Sequence, residues 1–205
     1  MIVAPPPPRD RRAERHEATR TEILEAAWEL ARTQGLAALT LRDVARKIGA
    51  RPPSLYWYFD SKNAIFDAMF ADANRQLLQR LAEQRWPHDP REVLRLLARV
   101  VVEFSTEDVA RYKLMFQRTI PGFEPSPESY ALALEVLEQG RARFLAAGLT
   151  DPADFDLATA VTAGLAAQQN ANEPGGDRWL RLIDDAVDMY FDHVITRKAA
   201  KRSQP

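Results

Sequence analysis

"ALTLRDVARKIGARPPSLYWYFDSK", residues 38–62, is the stretch whose reading decides the fold. Thr40 followed three positions later by Asp43 resembles a capping box with Asp in the Glu place, so a helix is expected to start here. Leu41, Val44, Ala45 and Ile48 recur at three- and four-residue steps and form its buried stripe, and Gly49 ends it. A second short helix is expected over about 51–58. Ala45 lets the two helices approach closely, Gly49 makes the turn and Leu55 fills the space beneath. These positions lie four and ten residues apart, the spacing a helix-turn-helix of about 20 residues requires.

Two prolines open that second helix. The first helical turn has N–H groups without intrahelical partners, so proline is tolerated there with its φ already set. Arg51 at the N-cap lacks a short side-chain acceptor, and Pro52 and Pro53 soften the defect by removing N–H groups a cap would serve. Pro53 disfavours helical φ/ψ at Pro52, which leaves the frame open to a one-residue slip.

Outward from this stretch the chain is periodic at the helical repeat. Upstream, Ile23, Ala26, Ala27, Leu30 and Ala31 share a face and Gly35 fits a C-cap. Downstream, a longer helix from near Ser61 carries Ile65, Phe66, Met69, Phe70, Leu77 and Leu81. Further helices are expected near 90–105, 108–118, 127–147, 153–171 and 177–196. Turn-forming stretches at 119–127, 148–152 and 172–176 separate the later ones. No period-2 strand bounded by turn signals is evident, so the expected class is all-α. Residues 1–15, with Pro5 to Pro8 and a run of arginines, read as a disordered tail. The expected domains are a three-helix helix-turn-helix domain at 16–62, a larger helical domain at 63–198, and a tail at 199–205.

Residues 39–69 resemble the DNA-binding domain of the TetR family of bacterial regulators. The matching residues are Thr40, Gly49, the run Leu55-Tyr56-Trp57-Tyr58-Phe59, then Ser61-Lys62 and an apolar helix. The double proline departs from the commoner pattern, which has a small polar cap there. The helical remainder agrees with the family's variable ligand and dimer domain in length and helix count. The resemblance implies double-stranded DNA with a palindromic operator as a partner, a homodimer, and a small-molecule effector.

It further implies that Thr40, beyond capping, contacts a phosphate, as do Tyr56 and Lys62. Arg42 is placed to reach phosphate or a base edge, or simply to be solvated. Leu55, Tyr58 and Phe59 are expected to face the core, with Ser54, Tyr56 and Trp57 outward. Trp57 either packs on a phosphodiester or covers the next helix. Arg51 suits bidentate guanine readout, and Pro52 and Pro53 offer only apolar contact, for example to a thymine methyl. The arm "RDRRAERHEATR" either tracks the DNA groove or is a solvated tail.

For the larger domain, Tyr112, Met115, Phe116, Phe123, Tyr130, Phe144, Gln168 and Asn172 are the candidate ligand residues. They combine aromatic and Met surface with a few amides, the make-up of a generic small-molecule site. For each of them plain core packing is the competing reading. No charge stands out as a counter-ion, so a largely apolar or aromatic ligand is expected. The last two helices suit a dimer interface: apolar residues of 177–196 spread over more than one face, and "LATAVTAGLAAQ" permits close helix approach.

Composition bounds the remaining classes. Of 205 residues 46% are hydrophobic and 28% charged, a soluble balance. There is no cysteine, so disulfides and thiolate metal sites are excluded and a reducing cytoplasm is expected. No apolar run approaches the roughly 18 residues of a membrane span, and the amino terminus lacks the apolar region of a signal peptide. Residues 1–62 carry 11 basic against 8 acidic residues, whereas the rest carries 17 against 21, a positive end on an acidic body. His16, His88 and His193 show no metal spacing, and no nucleophile motif or phosphate loop accompanies them. The expectation is a non-enzymatic DNA-binding transcriptional regulator, a repressor released from its operator by the small apolar or aromatic ligand, without cofactor or metal; the alternative is a helical ligand-binding or scaffold protein without operator control.

Overall fold

The computed structural model describes residues 11–202, with side chains up to Ala199. Every element among the described residues is helical: α1 (Arg11–Gln34), α2 (Leu41–Lys47), α3 (Pro52–Leu55), α4 (Lys62–Ala82), α5 (Pro90–Glu107), α6 (Val109–Phe116), α7 (Pro127–Ala146), α8 (Pro152–Asn172) and α9 (Ile183–Arg202). A 3-10 turn, Leu180–Leu182, leads into α9. The chain divides into two compact units at the Met69–Phe70 junction.

In the amino-terminal unit, the α1 stripe Ile23, Ala26, Ala27, Leu30 and Ala31 is buried as its periodicity requires. It meets Val44 and Ala45 of α2, Leu55 of α3, and Ile65, Phe66 and Met69 of α4 in a core where each of these last six is at most 1% exposed. Thr40 caps α2 by accepting from the Asp43 amide at 3.2 Å. The exit from α2 is a Schellman turn: the Ala50 amide donates to the Ala45 carbonyl at 2.9 Å while Gly49 sits at φ +68°. Arg20 fastens the far side, donating to the Tyr58 carbonyl at 2.8 Å with its guanidinium 4.4 Å from the Phe59 ring centre.

Three boundaries differ from the sequence expectation. Helix α1 begins at Arg11, so residues 11–15 are helical instead of tail; residues 1–10 lie outside the described residues. The segment "RRAERHEATR" is rich in good helix formers, and His16 stacks on Tyr58 at 4.8 Å between ring centres. Helix α3 spans only Pro52–Leu55, not 51–58. After Leu55 the bonds tighten to three-residue steps, Trp57 to Ser54 at 3.4 Å and Tyr58 to Leu55 at 2.9 Å, with the Phe59 amide sharing the Leu55 carbonyl at 2.9 Å, so 56–58 are turn and not α-helix. Helix α9 runs to Arg202, past the expected start of a tail at 199.

In the second unit, α5, α7 and α8 each open with a side-chain cap followed by proline: Asp89-Pro90, Ser126-Pro127 and Asp151-Pro152. The cap supplies an acceptor to an orphan amide and the proline presets φ, so the start of each helix is fixed locally. Helix α5 packs on α8 and α9. The α5–α9 seam carries a charge ladder in antiparallel register. Arg91 pairs with Asp192 and Asp188, Arg95 with Asp188, and Arg99 with Asp184, the last at 2.7 Å. Asp154, fully buried at the start of α8, pairs with Arg197 of α9, and its carbonyl accepts from the Tyr190 hydroxyl at 2.8 Å.

Candidate nucleic-acid interface and ligand cavity

The α2–α3 segment turns a set of polar and aromatic side chains to solvent. Arg42, Arg51, Pro52, Ser54, Tyr56 and Trp57 are all exposed, Trp57 by 85% and Tyr56 by 55%. The turn after Leu55 produces this display. Leu55 and Phe59 point into the core at 1% and 3% exposure, and of the three aromatics between them in the tight turn Tyr56 and Trp57 are directed outward. Tyr58 is half-buried against His16. An indole and a phenol left in water forgo burial that elsewhere stabilises a fold, which marks a surface built for contact.

The start of α3 has unusual chemistry. Neither Pro52 nor Pro53 carries an N–H, and the Ser54 amide donates to the Arg51 carbonyl at 2.9 Å. Side chains, and not backbone amides, therefore make up the exposed polar surface here. Arg51 caps nothing with its side chain, leaving the guanidinium fork presented outward.

Thr40 and Lys62 are more committed to the fold. The Thr40 hydroxyl donates to the Asp43 carboxylate at 2.5 Å while accepting from the Asp43 amide. The Lys62 ammonium donates to the Ala37 carbonyl at 2.9 Å and lies 5.3 Å from the Phe66 ring centre. An ammonium has three donors, so this anchoring leaves Lys62 two for an anion.

The second unit contains a cavity of about 310 Å³. Of the eight candidate ligand residues, Tyr112, Phe116 and Phe144 line it. Met115 packs against the core, Phe123 is half-buried in the α6–α7 connection, and Tyr130 is 50% exposed on α7; none of the three lines the cavity. Gln168 and Asn172 are exposed and bond one another at 2.6 Å, also away from it. The walls come instead from aliphatic residues of α4 and α5, such as Leu81, Leu97 and Val101, with Phe155, Thr159 and Thr162 of α8 and Val187 and Tyr190 of α9. Gly140 of α7 admits the Phe155 ring, whose Cε2 lies 3.4 Å from where a β-carbon would sit. The one sequence signal for these walls was the Ala- and Thr-rich run of α8, whose small side chains leave space.

No charged side chain lines the cavity. Burial pushes the Tyr190 phenol up to about 12, so it stays neutral over the ordinary pH range. On the outer seam, the Arg95 hydrogen bond holds Asp188 below the usual carboxylate range, with Arg91 adding to it. Among the described residues no cluster of three or more His, Cys, Asp or Glu side chains is placed to hold a metal, and no helix is long and apolar enough to cross a membrane.

Residues 23–69 match the model of bacterial regulatory proteins of the tetR family. Over 101 residues the chain is 29% identical to the HTH-type transcriptional regulator AcrR of Shigella flexneri, covering 48% of this chain and 47% of that one. Over 50 residues it is 40% identical to the class D tetracycline repressor protein of Escherichia coli, covering 24% and 23%. The chain thus spans about half or less of the length of these curated relatives. The crystal structure of SCO4313 superposes with a TM-score of 0.69 over 90% of this chain and 98% of that one at 22% identity, a likeness of fold. The family match runs from the middle of α1 through the first third of α4, the same helices that bring Thr40, Gly49, Leu55 and Tyr56 into one helix-turn-helix, and residues 23–69 are thus a domain of the tetR regulatory-protein type.

Proposed function

We propose that this chain is a DNA-binding transcriptional regulator of the cytoplasm, a repressor that binds a palindromic operator as a homodimer. A small, largely apolar or aromatic ligand in the second unit releases it. The observation that carries the reading is the outward set Arg42, Arg51, Ser54, Tyr56 and Trp57, displayed by a turn whose core residues are fully packed. On the DNA, Tyr56 and Lys62 bind phosphate and set register, Arg42 adds a backbone contact, Thr40 adds another by turning its hydroxyl from the Asp43 carboxylate to phosphate, and Arg51 reads a guanine edge. Pro52 and Trp57 supply apolar contact. The ligand residues are Tyr112, Phe116 and Phe144 with the aliphatic walls around them. For release, the ligand must bind the DNA-incompetent state better than the competent one.

The dimer reading is supported by α8, where Leu157, Ala160, Gly164 and Ala171 lie exposed along one stripe, and by Met189 of α9, 66% exposed. AcrR-type and tetracycline-repressor relatives support operator control.

The test is fluorescence anisotropy against DNA tiled from upstream of the gene, at about 50 and 200 mM salt. Saturable binding to one palindromic tile that weakens steeply with salt is expected. Tyr56→Phe should weaken binding to every tile alike, by about 1 kcal/mol. Arg51→Ala should relax preference at one base by about 1–3 kcal/mol. Absence of salt-sensitive binding to any tile and to a random-sequence library would leave a ligand-binding protein without operator control.

A further inference from the structure

The five hydroxyl groups lining the cavity are not equivalent. Ser105 donates to the Val101 carbonyl at 2.7 Å and Thr162 to the Ala158 carbonyl at 3.0 Å. Thr159 donates to the Asp156 carbonyl at 2.8 Å, and Tyr190 to the Asp154 carbonyl at 2.8 Å. Each of these donors is spent on the backbone. The Tyr112 hydroxyl alone makes no hydrogen bond among the described residues; the residue is 8% exposed, and its oxygen is not sealed off from solvent. A phenol oxygen left accessible in an apolar cavity can exchange its water for the acceptor of a ligand, so this one donor is open for recognition.

The rest of the lining restricts what that partner can be. No Asp, Glu, Lys, Arg, His, Asn or Gln side chain faces the cavity, so a carboxylate, phosphate or ammonium would lose its hydration with nothing to replace it. The aromatic walls favour a ring. Tyr112 and Phe116 lie 5.8 Å apart between ring centres, and Phe144 meets Phe155 edge-to-face at 5.1 Å. The volume of about 310 Å³ lies at the small end of ligand sites.

Resting on the proposal that this cavity is the effector site, we infer that the ligand is an uncharged, ring-containing compound with a single hydrogen-bond acceptor, a carbonyl or ether oxygen, received by the Tyr112 hydroxyl. Tyr112 thereby sets specificity: it separates a ketone from the hydrocarbon of the same shape, while the unlined charge excludes the acid.

Three probes of one skeleton test this on the full chain without DNA: 2-acetylnaphthalene, 2-isopropylnaphthalene and 2-naphthoate, titrated by calorimetry into wild type and Tyr112→Phe. The ketone should bind wild type and lose about threefold to tenfold in Tyr112→Phe. The hydrocarbon should bind both proteins alike, and the anion should bind at least about 100-fold more weakly than the ketone. Tyr112→Phe should melt at the wild-type temperature, since the hydroxyl it removes bonds nothing in the fold. Equal losses for ketone and hydrocarbon, comparable binding of the naphthoate, or no binding of any probe would overturn the assignment. Operator binding measured in parallel separates the two proposals. Ketone discrimination without operator binding would sink the regulator reading alone, and operator binding without discrimination would sink this one alone.

Discussion

Gly164 sits in the middle of α8 with ordinary helical backbone, and a β-carbon added there would meet nothing within 4 Å. Within one chain, Gly164→Ala therefore has a single effect. It restricts the unfolded backbone and improves helix propensity, stabilising the helix by about 1 kcal/mol. In the proposed dimer the same methyl has a second effect. Gly164 belongs to the exposed stripe with Leu157, Ala160 and Ala171, where small residues let another helix approach closely. A methyl placed into that contact overpacks it, at a cost of about 1–3 kcal/mol, and twofold symmetry places one on each copy. Sedimentation equilibrium of wild type and Gly164→Ala, with thermal melts at concentrations well below dimerisation, reads both terms. The monomer should melt higher while the dimer dissociation constant rises by about fivefold to 150-fold. A raised melting temperature with an unchanged or tighter dimer would show that the α8 stripe is not the interface.

Other substitutions and conditions test the fold around the two sites. Gly49→Ala should destabilise by about 1 kcal/mol, because φ +68° strains an L residue while the β-carbon itself meets open space; denaturant unfolding that shows no loss would refute the Schellman reading of the turn. Asp188 is held low by Arg95, so its contribution is fully present above the ordinary carboxylate range and is lost as pH falls through about 4 toward its folded value. Arg91 and Arg95, raised from their ordinary value, stay charged throughout, and melts from pH 6 to 3 should show a shallower acid slope in Asp188→Asn than in wild type. Tyr190 behaves oppositely. Its phenol is raised to about 12, so folding favours the neutral form, and stability intact below about pH 10 is lost as pH climbs through the folded value. Tyr190→Phe should flatten that alkaline limb at a cost of about 0.5–1.5 kcal/mol at neutral pH, from the lost bond to the Asp154 carbonyl.

What the sequence made legible was local chemistry. Thr40 with Asp43 and the Gly49 turn each fix a backbone geometry through atoms a few residues apart, and each is found where the pattern placed it. Periodicity was as reliable for the α1 stripe, since a helix has one face to bury. It failed where neighbours decide. Gln168 was singled out, yet it is the adjacent Gln169 that is buried, accepting from the Trp179 amide at 2.9 Å and donating to the Glu173 carbonyl. Nothing in the run "AAQQNAN" distinguishes the two amides; only the path of the chain after α8 does. Tyr130 and Phe123 have the composition of a ligand site without its position, whereas Leu97, Val101 and Val187 look like any core aliphatics and form its walls. The length of α3 was misjudged because the tightening into a turn after Leu55 is set by packing Leu55 and Phe59 into one core, which no local pattern spells out.

The two prolines at the start of α3 also bear on how such a protein would search a genome. A helix whose first turn carries free amides grips any phosphate it meets, and that grip is the same on every sequence. Here those amides are absent at Pro52 and Pro53 and already engaged at Ser54. For a DNA reader this lowers the background attraction of decoy sites, which number about a million or more per genome, without touching the Arg51 fork proposed to read a base edge. Occupancy of the true site depends on that ratio, so weakening the indiscriminate grip shortens the time lost on wrong addresses.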